Sequence, residues 1–473
     1  MARRRIRWPA TLAAFEVPGF RRVWTAALLA NSGRFALLLV AGWEAYRLGH
    51  HSSLWPGLVS FFLLVPSMLL GLFAGGLADR VNRAWQAAAG QLLNVLVTGV
   101  AGVLALAGRM DLGVVLAVSA VSGVGNAIQG PAWQAMVPHL VGPDRLRNAG
   151  LLTRVAQQGA ELSGPAAGTA VLALAGPGPA FLLAAAFYGA GVLLLAQVAR
   201  SAGLGAADRR PHLAQPVRSG LRYVRAKEPL LVLLVWVGLH CSLTMASTGI
   251  LPAVATANLR GSASAYGLLL SAFGLGSMIG PLALAWVGSR VDLTRSLVVS
   301  AVLSGLPLVA LGLTHALWLA TVAAGTAGAA QAVFMAFVYV GTQGVSAEEL
   351  RGRVASVQLS LTTGAMGLAS LGWAALVGPL SPGLVLVIPG AVFSAACVPF
   401  AARGRSLRDG LAAAGVGAHE ARGPSRSVLG RPTQGALGAG GLGAGGLGTP
   451  GGLGTPGGLG TPGGLGAGEV GGR

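Results

Sequence analysis

Charged residues are scarce in this chain of 473 residues. They make up 10% of the sequence, whereas a typical soluble domain carries about 25%, and Lys227 is the single lysine among 33 basic residues. Hydrophobic residues reach 53%, and the mean hydropathy is +0.68. This composition excludes an ordinary soluble enzyme and a disordered chain, and it indicates a protein that crosses a membrane many times.

Cysteine is also rare, and the usual marks of catalysis are missing. The two cysteines, Cys241 and Cys397, lie inside apolar runs, so they provide neither a disulfide framework nor metal-ligand spacing. The soluble segments contain no nucleotide-binding loop, no metal-ligand cluster and no nucleophile–base pairing. The sequence therefore argues against an enzyme and against an ATP-driven pump, and we expect neither a cofactor nor a metal.

Long apolar runs dominate what remains. A helix needs about 20 apolar residues to cross the hydrocarbon core of a bilayer. Twelve such runs occur, near 23–47, 57–78, 85–107, 112–135, 150–174, 179–199, 230–256, 265–288, 296–314, 316–344, 354–377 and 383–401. The sequence predicts an all-α membrane protein with twelve transmembrane helices.

The basic residues give the orientation. With the N-terminus inside the cell, all but four of the 33 basic residues fall in cytoplasmic segments; the exceptions are Arg34, Arg47, Arg109 and Arg260. This bias follows the positive-inside rule at every loop. We therefore expect a multi-pass protein of the cell (inner) membrane with both termini in the cytoplasm. Because the charge is spread over short loops, it does not indicate a nucleic-acid partner.

The spans divide into two groups of six. We predict a cytoplasmic N-terminus, an N-terminal six-helix bundle, a cytoplasmic linker, a C-terminal six-helix bundle and a disordered, Gly-rich cytoplasmic tail, over residues 1–22, 23–199, 200–229, 230–401 and 402–473. The tail repeats Leu-Gly-Thr-Pro-Gly-Gly and cannot bury a core. Within the linker, one helical face carries three arginines beside three apolar residues, which predicts a short helix on the anionic leaflet: Arg218, Arg222, Arg225, Val217, Leu221 and Val224.

The two halves repeat each other. Asp144-Arg-Leu-Arg follows the fourth span, and Glu348-Glu-Leu-Arg follows the tenth span 204 residues later. The loop after the second span has a weaker counterpart after the eighth, beginning at Ser289. A six-span repeat of constant orientation is typical of a secondary transporter built from two bundles.

The loop after the second span carries a recognisable motif. The run Gly75-Gly-Leu-Ala-Asp79-Arg80-Val-Asn82-Arg83 resembles the loop signature of the major facilitator superfamily. The resemblance implies a gating loop in which Gly75, Asp79, Arg80 and Arg83 hold the cytoplasmic face closed through ion pairs. Asn82 stands where the superfamily usually has a second Gly, and Ala84 replaces a basic residue. The alternative is that Asp79 and Arg80 are ordinary interfacial charges.

The fifth span carries a second motif. Gly164-Pro165-Ala-Ala-Gly168-Thr169 resembles the Gly-Pro motif of exporters in this superfamily, although Thr169 and Ala160 stand where glycines are common. The alternative is a plain packing interface. Together with Gly130-Pro131-Ala-Trp133 and with Glu349-Leu-Arg-Gly-Arg353, the chain resembles over about residues 16–402 the branch of enterobactin exporters and macrolide efflux pumps.

A few polar groups lie at membrane depth, where charges are costly and commonly functional. Arg34, Glu161 and His240 each lie about ten residues into a span, hence ~15–17 Å deep and near the midplane. We predict that Arg34 and Glu161 form a direct or water-bridged pair, with Glu161 as proton carrier or substrate contact. For His240, the alternative is a neutral structural side chain bonded to a neighbour. Asn126, Gln129 and Gln331 line a cavity or bond between helices.

These observations favour a proton-driven exporter of a small amphipathic molecule, such as a siderophore or a drug of the macrolide kind, working by alternating access. The resemblance implies the direction and the substrate class, whereas composition and topology imply only transport. The alternatives are an importer or lysophospholipid translocator of the same fold, and a membrane sensor or scaffold that transports nothing. We expect a monomer whose partners are the substrate, protons and the bilayer.

Overall fold

The computed structural model describes residues 10–78, 81–201, 215–287 and 293–413. Six long helices make up the N-terminal half of the chain, after a 3-10 turn at Ala10–Glu16. They are α1 (Pro18–Leu48), α2 (Leu54–Ala78), α3 (Arg83–Leu106), α4 (Leu112–Val141), α5 (Pro143–Ala175) and α6 (Pro177–Ser201).

The boundaries of these helices follow from local chemistry. Asn82 caps α3, since its Oδ1 accepts a hydrogen bond from the Ala84 backbone N–H at 3.0 Å, and Asp111 caps α4 by accepting from Val114 at 2.9 Å. Gly142 and Gly176 end α4 and α5 with φ of +72° and +83°. Only glycine adopts such angles at little cost, so the chain can reverse there and begin the next helix at a proline.

The C-terminal half begins with α7 (Gln215–Ala226), which covers the predicted linker helix. The membrane helices follow as α8 (Glu228–Leu243), α9 (Ala263–Val287), α10 (Leu293–Leu313), α11 (Leu317–Val345), α12 (Arg351–Ala375) and α13 (Pro382–Ala413). The α8 span continues irregularly through a 3-10 segment Met245–Ile250, one turn Leu251–Ala253 and a π turn Val254–Asn258.

The predicted fold class is confirmed, and within the described ranges each predicted span coincides with a helical segment. Nine of these segments are long and apolar enough on their own to cross a membrane, and Leu54–Leu70 and Pro382–Cys397 are shorter apolar stretches. The remaining one, α5, begins with several charged and polar residues. The predicted start of the tail at 402 is too early, because α13 stays helical to Ala413. Residues 414–473, the rest of the predicted tail, lie outside the described residues.

The N-terminal and C-terminal halves of the chain pack together differently at the two ends of the membrane helices. We call the end with the turns 49–53, 107–111 and 259–262 the Arg-poor end, and the opposite end the Arg-rich end. At the Arg-poor end one apolar cluster, here called the shared apolar cluster, draws on both halves. Its members include Leu37, Val40, Val59, Leu63, Leu172, Phe181, Ile250, Leu269, Leu311, Ala374 and Leu386.

Toward the Arg-rich end the buried apolar residues separate by half. One cluster contains Val23, Ala87, Met136 and Leu195 and belongs to the N-terminal half. Another belongs to the C-terminal half and contains Val224, Leu234, Val338, Phe393 and Cys397. The structure is therefore closed by a continuous core at the Arg-poor end, while each half keeps its own core near the Arg-rich end.

Candidate functional site

A polar contact joins α5 of the N-terminal half to α9 of the C-terminal half near mid-span. The Ser277 hydroxyl donates to Glu161 Oε2 at 2.7 Å, and Gln158 Nε2 donates to the Ser277 carbonyl oxygen at 2.6 Å. The same hydroxyl lies 2.9 Å from the Gly274 carbonyl oxygen, which offers it a second acceptor. Ser277 is 3% exposed. We call these four residues the α5–α9 clasp.

Gly274 allows the two helices of the clasp to approach closely. A Cβ atom at this position would collide with the Glu161 carbonyl group and would lie 2.6 Å from the Leu162 backbone nitrogen. Because real Cβ atoms do not come this close to backbone, any side chain at 274 would push α9 away from α5. The absence of a side chain at Gly274 therefore helps to bring Ser277 within reach of Glu161.

Arg34 and Glu161 form no direct ion pair, and the water-bridged pair that the sequence also predicts stays a prediction. In the described part of the chain, Arg34 makes no hydrogen bond, and its guanidinium carbon lies 4.3 Å from the centroid of the adjacent Phe35 ring. Both side chains are partly buried, and the charge of Arg34 interacts electrostatically with Glu161. Glu161 Oε2 instead accepts from Ser277, and the Arg34 guanidinium packs on Phe35 of its own helix.

Tyr188 of α6 belongs to the same region. Its ring is fully buried and faces Gly33 of α1, where a Cβ atom would lie 3.1 Å from Tyr188 Cδ2. The Tyr188 hydroxyl has no hydrogen-bond partner among the described residues, and Tyr188 also interacts electrostatically with Arg34. A guanidinium with unused donors and a buried hydroxyl thus lie on neighbouring helices near the clasp.

The Gly-Pro motif of α5 packs against α1. A Cβ atom at Gly164 would lie 2.5 Å from the Ser32 carbonyl oxygen, and one at Gly168 would lie 3.1 Å from Leu39 Cδ2. Beside them, the hydroxyls of Ser32 and Ser163 are 2.8 Å apart. Pro165 lies inside the helix. The motif therefore contributes close packing within the N-terminal half, and its role in export stays a prediction.

The amides of α4 bond between helices. Asn126 Oδ1 accepts from Asn94 Nδ2 of α3 at 3.3 Å and from Gln129 Nε2 at 2.8 Å, and Trp133 donates to Gln129 at 3.2 Å. This network fits interhelical bonding better than cavity lining. Gln331 of α11 is 1% exposed, and neither of its side-chain polar atoms has a hydrogen-bond partner within the described ranges.

His240 is enclosed in the C-terminal half. Its Nδ1 lies 3.0 Å from the Thr244 hydroxyl and 3.4 Å from that of Ser304, and the ring packs between Phe334 and Phe393. The residue has no exposed surface. The contacts of Nδ1 fit the structural alternative, but Nε2 has no hydrogen-bond partner among the described residues. A role of His240 in a substrate or proton pathway stays a prediction.

The predicted gating loop is only partly described. Gly75 lies in the last turns of α2, while Asp79 and Arg80 lie outside the described residues. Arg83 begins α3 and is 6% exposed. Asn82, which departs from the superfamily motif, forms the N-cap of α3, a function that its position before the third span could have indicated.

Further contacts join the halves at the Arg-poor end. The hydroxyls of Tyr46 in α1 and Thr256 after α8 are 2.7 Å apart, and Trp43 stacks on Tyr266 of α9 with 6.4 Å between ring centroids.

Glu44 is 1% exposed and pairs with Arg47 of its own helix at 2.6 Å. Among the residues with described positions, no group of three or more His, Cys, Asp or Glu could hold a metal ion.

Sequence reasoning missed Ser277, Gln158 and Tyr188. Gln158 precedes Glu161 by three residues and therefore shares its helical face, which is a usable signal. Ser277 lies among three spaced glycines, Gly274, Gly276 and Gly280, a pattern typical of close helix contact. Neither signal identifies the partner helix, because the contact spans more than a hundred residues of sequence.

A family described as transmembrane secretion effector matches residues 9–409. Similar solved structures include a POT family transporter in complex with a thioalcohol-conjugated peptide, with 11% identity over 82% of this chain and 96% of that one and a TM-score of 0.70. A mutant of the nucleoside transporter NupG is 13% identical over 84% of this chain and 99% of that one, with a TM-score of 0.64. A bacterial homologue of the iron transporter ferroportin in an inward-facing state is 17% identical over 81% of this chain and 98% of that one, with a TM-score of 0.62. At these identities the likeness shows the fold alone. No curated protein sequence matches the chain significantly.

Proposed function

As a member of the transmembrane secretion effector family, this chain is a membrane transporter of the major facilitator type, and we propose that it is a proton-coupled exporter of a small amphipathic molecule. The proposed substrate class is a siderophore or a drug of the macrolide kind. The proposed setting is the inner membrane, with both termini in the cytoplasm and a monomer as the working unit.

The hydrogen bond between Glu161 and Ser277 carries the proposal. An ionised carboxylate accepts a hydrogen bond more strongly than a neutral carboxyl, by about 1 kcal/mol or more. When Glu161 binds a proton, the Ser277 hydroxyl can turn instead to the Gly274 carbonyl oxygen at 2.9 Å. Proton binding in one half thereby weakens a contact with the other half, which is the link that coupled alternating access requires.

Arg34 is the proposed substrate contact. Its guanidinium has five N–H donors, none of which bonds to another described residue, so it can bind an anionic or catecholate-like group. The unpartnered Tyr188 hydroxyl lies near enough to interact electrostatically with Arg34 and could bind the same group. Export as the direction rests on the resemblance of the Gly164-Pro165 motif to that of exporters.

Transport into everted vesicles tests the proposal. We expect a panel of siderophores and macrolides to include a compound that accumulates, and an uncoupler to abolish its accumulation. Glu161→Gln should transport without response to the proton gradient, whereas Arg34→Ala should raise the KM. Glu16→Gln is the matched control, because Glu16 pairs with Arg145 away from the clasp.

Other outcomes contradict the proposal in distinguishable ways. Uptake only into right-side-out vesicles indicates an importer, and movement of a labelled lysophospholipid indicates a lipid translocator. An unchanged response of Glu161→Gln to the proton gradient removes Glu161 from coupling. Binding of a panel compound without its transport in either orientation indicates a sensor.

A further inference from the structure

The linker helix α7 is fixed to the C-terminal half. Val224 is 2% exposed and packs in the apolar cluster of that half. The Tyr223 hydroxyl accepts a hydrogen bond from the Ala347 backbone N–H at 3.0 Å, just before α12 begins, and the Lys227 ammonium lies 5.1 Å from the centroid of the Tyr223 ring. One side of α7 is thus anchored to the ends of the membrane helices.

The position of α7 in the chain places it beside the membrane surface. Lys227 is the only residue between the end of α7 and the start of α8, and the segment Glu228–Asn258 that begins there is long and apolar enough to cross a bilayer. The last turn of α7 therefore directly precedes a membrane span, at the Arg-rich end.

Another side of α7 is cationic and open. Arg222 and Arg225 are exposed, and Leu221, at the edge of their helical face, is 38% exposed. Arg218 shares their helical register, and no acidic residue occurs from Gln215 to Lys227. Exposed arginines beside an exposed apolar side chain are typical of a helix that lies in the headgroup region of an anionic leaflet.

We propose that Arg222 and Arg225 bind the phosphate headgroups of anionic phospholipids in the leaflet at the Arg-rich end. Leu221, at the edge of the arginine face, enters the acyl boundary beside them. Charge complementarity selects anionic over zwitterionic lipids, since each arginine near an anionic surface contributes roughly five-fold to binding. Tyr223 of α7 is hydrogen-bonded to Ala347, just before α12 begins. Headgroups bound to α7 therefore also restrain the start of α12 in the C-terminal half. This inference does not depend on the substrate or on proton coupling.

Lipid retention by the full-length protein tests the proposal. The protein is reconstituted in vesicles of phosphatidylcholine and phosphatidylglycerol, extracted, and examined by native mass spectrometry. We expect wild type to retain phosphatidylglycerol in preference to phosphatidylcholine. In Arg222→Gln/Arg225→Gln, the ratio of retained phosphatidylglycerol to phosphatidylcholine should fall roughly five-fold for each arginine replaced. Arg109→Gln/Arg260→Gln is the control, because those arginines lie exposed at the Arg-poor end.

Three results would overturn the proposal: unchanged retention in Arg222→Gln/Arg225→Gln, an equal loss in the control, or loss of the bound lipid on adding inorganic phosphate alone. A charge-retaining variant, Arg222→Lys/Arg225→Lys, guards against misfolding. It should keep most of the preference for phosphatidylglycerol, and a loss as large as that of the glutamine variant would also reject charge as the basis. High salt should weaken retention in wild type, since exposed charges are screened.

Discussion

Glu161 Oε2 and Ser277 Oγ, from opposite halves of the chain, lie 2.7 Å apart in a hydrogen bond at mid-span. Ser277→Ala removes this donor and leaves the close packing at Gly274 intact. A hydrogen bond to a charged group contributes about 1.5–3 kcal/mol, so we expect the state closed at the clasp to lose at least ten-fold in population. The distribution of distances between spin labels on α5 and α9 measures the population of this closed state.

Ser300→Ala provides the control for this prediction. Ser300 is buried like Ser277, but its hydroxyl donates only to carbonyl oxygens of its own helix, Ser296 and Leu297. Its replacement should leave the distance distribution and the response to the proton gradient unchanged. Equal behaviour of the two variants would show that the clasp does not hold the halves together.

Gly274→Ala should destabilise the described state. The new methyl group would collide with the Glu161 carbonyl, and overpacking of this kind costs about 1–3 kcal/mol. We expect a lower midpoint of thermal unfolding and slower transport. Gly372→Ala in α12 is the matched control, because no atom lies within 4 Å of a Cβ built there. Wild-type stability in both variants would contradict the close contact of α5 and α9.

Tyr46→Phe should favour opening of the Arg-poor end. The change removes the 2.7 Å hydrogen bond to Thr256, while Thr256 keeps carbonyl acceptors at Pro252 and Ala253. The loss of one such bond, about 1 kcal/mol, amounts to roughly a five-fold change in population. Spin labels on turns 49–53 and 259–262 report the opening. Tyr339→Phe, at the other end of the helices, should leave those distances as they are.

Asp79→Asn should abolish transport without impairing membrane insertion. Asp79 lies outside the described residues, so this prediction rests on the resemblance of its loop to the superfamily signature, in which the charge and not the size of the side chain matters. Transport assays measure the expected loss of transport, and membrane fractionation measures the expected normal insertion. Near-normal efflux by the variant would leave Asp79 an ordinary interfacial charge.

Deletion of residues 414–473 should leave transport largely unchanged. Repeats of Leu-Gly-Thr-Pro-Gly-Gly have no apolar period with which to pack against a helix. A deletion from 402 instead removes the last part of α13 and should lower the amount of protein in the membrane. A loss of transport by the shorter deletion, at normal expression, would assign a role to the tail.

The helices were predictable because their signal is local. Apolar length and the placement of arginine depend on neighbours in sequence, and each of the twelve predicted spans coincides with a helical segment within the described ranges. The depth of Arg34 and Glu161 along their spans could likewise be predicted from the sequence. The direction of a side chain around its helix was not, because it depends on which helices pack together. Glu161 therefore has a partner, Ser277, that lies 116 residues away in sequence, and His240 faces a sealed core.

The shared apolar cluster gives the closed state a characteristic dependence on temperature. Opening the Arg-poor end exposes side chains such as Leu37, Val59 and Leu269 to water, and exposure of apolar surface raises the heat capacity. The attraction that closes this end therefore weakens on cooling. We therefore expect cooling to shift the population toward the state open at the Arg-poor end, and the logarithm of the turnover rate to follow a curve, not a straight line, against reciprocal temperature.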